Sequence, residues 1–338
     1  MNLLEPRENP SLVGHEAAEA ELLAAMRGGR MHHAWLITGT SGIGKATLAY
    51  RFARRLFAGL PATDSLALDP RDPVFRRVAL GSHADLLTIQ RAFDEKRSRI
   101  RSEIVVDDAR EIAGFLRRTP AEGGWRIVVI DGAEYLNRNA ANAVLKVLEE
   151  PPSRAILLLA CAAPGRLLPT IRSRCRRLRL DVLGSGDMDR VLAGLMPDAA
   201  AAERTQLATL AAGSPGRAVL LAEGKGLALA TLVEEVLGGV PSIDLRRTLD
   251  IADKVGGRGS EDSFSVFMTM LRDGLSAVVR HAARGTARGA EQRLTTVRPL
   301  AEWADLWHAL TQIQDETERL NLDKRQALIS SITLLNGS

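Results

Sequence analysis

The residues whose types and spacing point most directly to chemistry lie between positions 39 and 47. Gly39-Thr40-Ser41-Gly42-Ile43-Gly44-Lys45 follows the apolar run Ala34–Thr38 and opens an amphipathic stretch over residues 45–57. Strand, glycine-rich loop and helix in that order form a phosphate cradle of the G-x-x-x-x-G-K type. Gly39, Gly42 and Gly44 let the backbone curl so that its N–H groups face phosphate; the helix start adds its positive end, and Lys45 reaches the terminal phosphates. The same motif needs a Ser or Thr hydroxyl after the lysine to hold Mg²⁺, and this chain has Ala46 there. Thr47 carries a hydroxyl, but one helical step turns it about 100° away from the metal direction.

A second acidic position belongs to the same chemistry. Ile127-Val128-Val129-Ile130-Asp131 is a buried-strand run that ends in a carboxylate, placing Asp131 at the edge of a sheet near the phosphates, where it can assist Mg²⁺ through water. A hydrolytic site follows this aspartate with a glutamate that activates water, and here Gly132 follows. Glu134 stands two residues on. Its spacing from Asp131 is that of a capping box, so capping of a helix start is expected of it ahead of catalysis.

The elements that must position these residues alternate. Short apolar runs at Ala34–Thr38, Leu86–Ile89, 104–106, 127–130, Ala155–Cys161 and 178–180 are separated by amphipathic stretches at 45–57, 107–117 and 139–149. This alternation predicts an α/β fold, a parallel sheet with helices on both faces. Residues 60–77 break the pattern with Pro, Asp and Ala and read as an irregular excursion. After residue 180 the strand signals cease, and the spacing is helical to the end. Glycines at 184 and 186, and again at 224 and 226, suggest boundaries. They predict a phosphate-loop domain over 1–182, a small helical lid over 183–226 and a helical domain over 227–338. The glycines, alanines and arginines of 285–289 are expected to form an exposed loop between helices.

Composition narrows the class further. A content of 46% hydrophobic and 25% charged residues is that of a globular chain rather than a disordered one. The apolar runs are far shorter than the roughly 20 residues of a membrane span, and residues 1–14 carry charges and prolines, so no membrane partner and a cytoplasmic location are expected. Two cysteines, Cys161 and Cys175, are too few for a disulfide framework or a four-ligand zinc site, so no metal site is expected. A net charge of +4 is too mild to identify nucleic acid as a partner by itself.

Further stretches carry a family resemblance. Thr119-Pro120-Ala121-Glu122-Gly123-Gly124-Trp125, Leu136-Asn137, the run from Ala140-Ala141-Asn142-Ala143 through Leu148-Glu149-Glu150-Pro151-Pro152, and Leu167-Leu168-Pro169-Thr170-Ile171-Arg172-Ser173-Arg174-Cys175 together resemble the clamp-loader subunits of bacterial DNA polymerase III, in the AAA+ family. With the phosphate loop the likeness spans about the first 180 residues. Among these subunits, the loss of metal ligand and base at Ala46 and Gly132 is similar to the delta-prime branch rather than the hydrolysing gamma or tau branch. The resemblance implies an AAA+ domain with a helical lid and an all-α collar through which subunits oligomerise; residues 320–328 look like the last collar helix. It implies partners of gamma/tau and delta type in a hetero-pentameric ring, with the sliding clamp and primer-template DNA reached through the complex. It also implies that Arg174 is an arginine finger acting in trans on a neighbour's γ-phosphate.

Carried over with less force, Cys161 matches the sensor-1 position, with core packing as the alternative. Arg217 of Ser214-Pro215-Gly216-Arg217 matches sensor 2, with an ordinary exposed arginine as the alternative. No cofactor is required on this reading, and ATP and Mg²⁺ binding by Gly39, Gly42, Gly44, Lys45, Thr47, Asp131 and Arg217 is expected to be weak or absent. The zinc module of many relatives is not expected, because residues 60–82 contain no cysteine. Two other functions remain open. One is an active AAA+ ATPase or helicase loader, if Thr47 and Glu134 compensate. The other is a DNA-binding protein on a P-loop scaffold, suggested by Arg172, Arg174, Arg176, Arg177 and Arg179, although alternation along a strand would send those arginines to different faces.

Overall fold

A computed structural model describes residues 4–29, 31–59, 65–94, 99–122, 124–223, 226–257 and 261–337. Leu60 of the expected excursion, Gly123 of the Thr-Pro-Ala-Glu-Gly-Gly-Trp stretch and Gly224 of the second boundary pair lie outside the described residues. The chain divides into two compact units, Met1–Val219 and Leu220–Ser338.

The first unit contains all the described strands: β1 (Ala34–Thr38), β2 (Leu86–Ile89), β3 (Phe93–Asp94), β4 (Arg99–Ile100), β5 (Arg126–Asp131), β6 (Ala155–Cys161) and β7 (Arg176–Arg179). Five of them form a parallel sheet in the order β2-β5-β6-β1-β7. The three central strands show why the sheet is covered on both sides. Trp35, Ile37, Ile127, Val129, Ile156 and Leu158 belong to one buried cluster. The alternate residues, Leu36, Val128, Ile130, Leu157 and Leu159, belong to another. Period-two alternation with both sets apolar is what a parallel sheet between two helical layers requires.

On the first face lie α1 (Glu16–Arg27) and α2 (Lys45–Ala58), the latter buried along most of its length. The second face is covered by α4 (Val106–Leu116), α5 (Arg138–Glu149) and α6 (Pro169–Arg174). The expected irregular excursion contains a short helix, α3 (Pro73–Ala79), whose start is fixed by Pro73 and by the Asp72 carboxylate accepting from the Val74 N–H at 2.7 Å. Residues 104–106 do not form a sheet strand: Ile104 makes an isolated bridge to Leu136, and α4 begins at Val106. The antiparallel pair β3 and β4 was not legible, since two residues a side give no periodic signal. The unit continues through α7 (Ser185–Leu195) and α8 (Ala201–Ala211), and α9 (Pro215–Glu223) follows.

The second unit is helical throughout its described residues, as expected: α10 (Gly226–Gly239), α11 (Leu245–Gly256), α12 (Glu261–Ala283), α13 (Ala290–Val297), α14 (Leu300–Leu320) and α15 (Lys324–Asn336). The long helices α12 and α14 pack together, α11 and α15 pair beside them, and Phe264, Phe267, Leu271, Trp303 and Leu310 are buried. The 285–289 segment lies between α12 and α13, as its composition predicts. Residues 320–328 are not one helix. Asn321 takes a left-handed conformation with φ 54° that ends α14, and Asp323 caps a new helix by accepting from the Gln326 N–H at 2.7 Å.

Candidate functional site

The sheet register assembles the site from three strand ends. Thr38 lies beside Cys161, and Asp131 beside Ala160, so the loop after β1, the carboxylate ending β5 and the thiol ending β6 meet at one edge, where open α/β sheets bind ligands. The loop's glycines are set by packing as well as by any ligand. Gly42 has φ +78°, and a Cβ on it would sit 2.6 Å from Ser214 Oγ and 3.1 Å from Gly216 Cα. At Gly39, with φ +147°, a Cβ would meet the Leu180 carbonyl oxygen at 2.5 Å. The Ile43 carbonyl accepts from the buried His15 Nε2–H at 2.8 Å.

Lys45, the first residue of α2, is buried, and its ammonium donates to the Thr40 carbonyl at 2.7 Å, closing the loop on itself. Burial pulls the Lys45 pKa down, while the charges of Glu134 and Asp131 pull it back up. Asp131 shows the reverse: burial raises its pKa, Lys45 and Arg91 lower it, and Glu134 raises it further. Arg91, just past β2, stacks 3.9 Å over the Tyr135 ring. Lys45, Asp131, Glu134 and Arg91 are therefore one electrostatic group, and Arg91 was not foreseen, because a single arginine after a strand carries no distinguishing spacing.

Glu134 does not cap a helix. Gly132 adopts a left-handed φ of +80°, the one turn that follows has no side-chain cap, and α5 is capped instead by Asn137, which accepts from the Ala140 N–H at 2.9 Å. Glu134 Oε1 accepts from the Ala162 N–H at 3.0 Å, just past β6. It also hydrogen-bonds the thiol of Cys161, whose pKa is pushed up to about 12, chiefly by burial. Cys161 is thus a buried thiol at the end of β6, facing Glu134. Thr47 lies on the buried face of α2.

Ser214 and Gly216 bring Arg217 to the loop. Ser214 Oγ donates to the Ser41 carbonyl at 2.8 Å, and the Gly216 N–H donates to the Gly42 carbonyl at 2.9 Å. Arg217 stands on the first turn of α9 next to Gly42, half-buried, and burial lowers its pKa. The Ser214 hydroxyl and the Gly216 contact are not legible in the sequence, because their partners lie on the distant phosphate loop.

Arg174 is assembled elsewhere. It is the last residue of α6, about one third exposed; Nη1 donates to the Thr170 carbonyl at 3.1 Å, and Nη2 lies 3.0 Å from Oε1 of Glu149. The basic run is not one strand: Arg172 and Arg174 lie on α6, and Arg176, Arg177 and Arg179 on β7. Arg176 pairs with Glu21 at 2.8 Å and lies 4.9 Å from the Trp35 ring centre, and Arg179 pairs with Asp181 at 2.9 Å.

The residues present do not fit a hydrolysing magnesium–nucleotide centre. Ala46 offers no oxygen. A side chain at Gly132 would need a φ rare for L residues and would place its Cβ 2.7 Å from the Tyr135 ring. Among the described residues no group of three or more His, Cys, Asp or Glu could hold a metal ion, and no helix is long and apolar enough to cross a membrane.

A family model described as DNA polymerase III, delta subunit, matches residues 14–184. The chain is 36% identical over 197 residues to DNA polymerase III subunit delta' of Pseudomonas aeruginosa, covering 58% of each protein. It is 34% identical over 227 residues to subunit delta' of Escherichia coli, covering 66% of this chain and 65% of that protein. It is also 34% identical over 180 residues to subunit tau of Escherichia coli, covering 53% of this chain and 26% of that protein. The match therefore spans less than two thirds of the length of each of these relatives.

Proposed function

The chain belongs to the DNA polymerase III delta subunit family, and from that membership we propose that it is a delta-prime-like clamp-loader subunit that does not hydrolyse ATP itself. Its task on this reading is to supply Arg174 in trans to a nucleotide held by a neighbouring gamma- or tau-like subunit, and so to help load a sliding clamp on primer-template DNA. A delta-type subunit completes a hetero-pentameric ring. Residues 183–226 act as the lid and residues from 227 onward as the collar that joins the ring.

One observation carries the reading. A single unit carries both a phosphate loop without metal ligand or base and, apart from it, an intact Ser-Arg-Cys whose arginine is partly exposed at the end of α6. A site that has lost its own hydrolytic groups but retains a guanidinium able to reach another chain is suited to stabilising charge developing on a neighbour's phosphoryl group. The contact of Lys45 with Thr40 supports weak or absent nucleotide binding here, because the ammonium that would reach the terminal phosphates is already engaged.

The test is reconstitution. The purified chain, mixed with gamma- or tau-like and delta-type subunits, should form a complex that loads a sliding clamp in a reaction dependent on all three. Loading at an undiminished rate without this chain would exclude the proposal.

A further inference from the structure

Resting on the finger reading of Arg174, we infer that Glu149 is the positioning residue that orients that arginine. The two side chains come from adjacent packed helices, Glu149 from the last residue of α5 and Arg174 from the last residue of α6. Arg174 is held at two points. Nη1 donates to the Thr170 carbonyl four residues back at 3.1 Å, and Nη2 meets Glu149 Oε1 at 3.0 Å. The first contact alone ties the guanidinium to its own helical turn and leaves the plane free to swing about the remaining torsions. The second fixes the plane against a different helix, leaving the other N–H donors of the fork outside both contacts.

The position of Glu149 is not explained by the stability of its own helix. A carboxylate at a helix C-terminus faces the negative end of the helix dipole and is disfavoured there. Pro151 and Pro152 already end α5 without it. The pair is also half-exposed, with side-chain exposures of 37% and 51%, and exposed ion pairs contribute little to folding. A weak contact of that kind suits positioning: it biases the guanidinium toward one orientation and yields readily when phosphate oxygens compete for the same donors.

The experiment compares reconstituted clamp-loader complexes carrying the wild-type chain, Glu149→Ala, Glu149→Gln, Arg174→Ala, or Glu149→Ala with Arg174→Ala. ATP turnover stimulated by clamp and primer-template DNA is followed across ATP concentrations. Glu149→Ala should lower kcat about threefold with little change in KM, as expected when a transition-state contact is misplaced rather than substrate binding lost. Glu149→Gln should recover most of the rate, because its amide oxygen still accepts from Nη2. The double variant should fall no lower than Arg174→Ala alone. The thermal midpoint of Glu149→Ala should match wild type; if alanine disturbs assembly, Glu149→Asp, one methylene too short, must show the same kcat loss in a normally assembled ring.

Equal turnover for Glu149→Ala and wild type, with Arg174→Ala impaired, would overturn the role of Glu149 and leave the finger standing. A glutamine variant as poor as alanine would overturn orientation as its role. Wild-type turnover for Arg174→Ala would remove the finger reading, and the role of Glu149 with it.

Discussion

Ser214 Oγ donates to the carbonyl of Ser41 at 2.8 Å, fastening the start of α9 to the phosphate loop across 173 positions of sequence. Two residues later Gly216 repeats the attachment through its backbone, and a Cβ there would lie 2.8 Å from Gly42 Cα. Gly216→Ala should therefore destabilise the chain by about 1–3 kcal/mol, since backbone rather than a flexible side chain must move. Ser214→Ala should cost about 1 kcal/mol by leaving the Ser41 carbonyl without its donor. Urea denaturation measures both; a Gly216→Ala chain as stable as wild type would contradict the close approach of loop and helix.

The isolated chain should show no ATP turnover above background, and Ala46→Ser should not restore it, because the general base is still missing. Adding Gly132→Glu should fail as well. Its backbone stands at φ +80° with the Tyr135 ring 2.7 Å from the new Cβ, a strain of order 1–3 kcal/mol. Turnover by the wild-type chain that Lys45→Ala abolishes would favour the active-ATPase alternative instead.

Both cysteines should resist alkylation in the native protein at about pH 8 and react once it is denatured, because the thiolate is the reactive form. Burial pushes each thiol up to about 12. A pKa raised in the folded state contributes stability that is complete below the ordinary thiol value and is lost as pH rises from there toward about 12. Alkaline titration followed by circular dichroism should show that loss, and Cys175→Ala should lessen it. Rapid native labelling of either cysteine would contradict the burial.

Assembly should depend on the helical C-terminal part. A chain ending near residue 226 retains β1–β7 and the loop contacts of Ser214 and Gly216 but lacks α10–α15. Size-exclusion chromatography with the partner subunits should find it as a free monomer. Co-elution with the ring at unchanged affinity would remove the collar assignment.

The central sheet and its phosphate loop were legible because their signals are local and periodic: apolar strands of four to seven residues, with the Gly39–Lys45 motif directly after one of them. The all-helical C-terminal half was legible for the same reason. The spacing of Glu134 from Asp131 imitates a capping box, whereas the left-handed turn at Gly132 directs it to Ala162. The break at Asn321 was hidden inside a stretch with helical composition. The contacts of Arg91, Ser214 and Glu149 were not legible because each joins residues distant in sequence, and spacing reports only near neighbours.

The most direct test of the account is the ATPase rate of reconstituted complexes carrying Arg174→Ala, with Arg177→Ala as the control from the same basic run. A finger acting in trans can be worth on the order of 10³ in rate, but a ring with several sites masks part of that, so a several-fold loss is expected. Arg174→Lys should rescue poorly, since an ammonium cannot reproduce the planar guanidinium fork. A loss at position 174 and wild-type behaviour at 177 are expected. Equal rates and equal clamp loading for Arg174→Ala and wild type would contradict the finger reading.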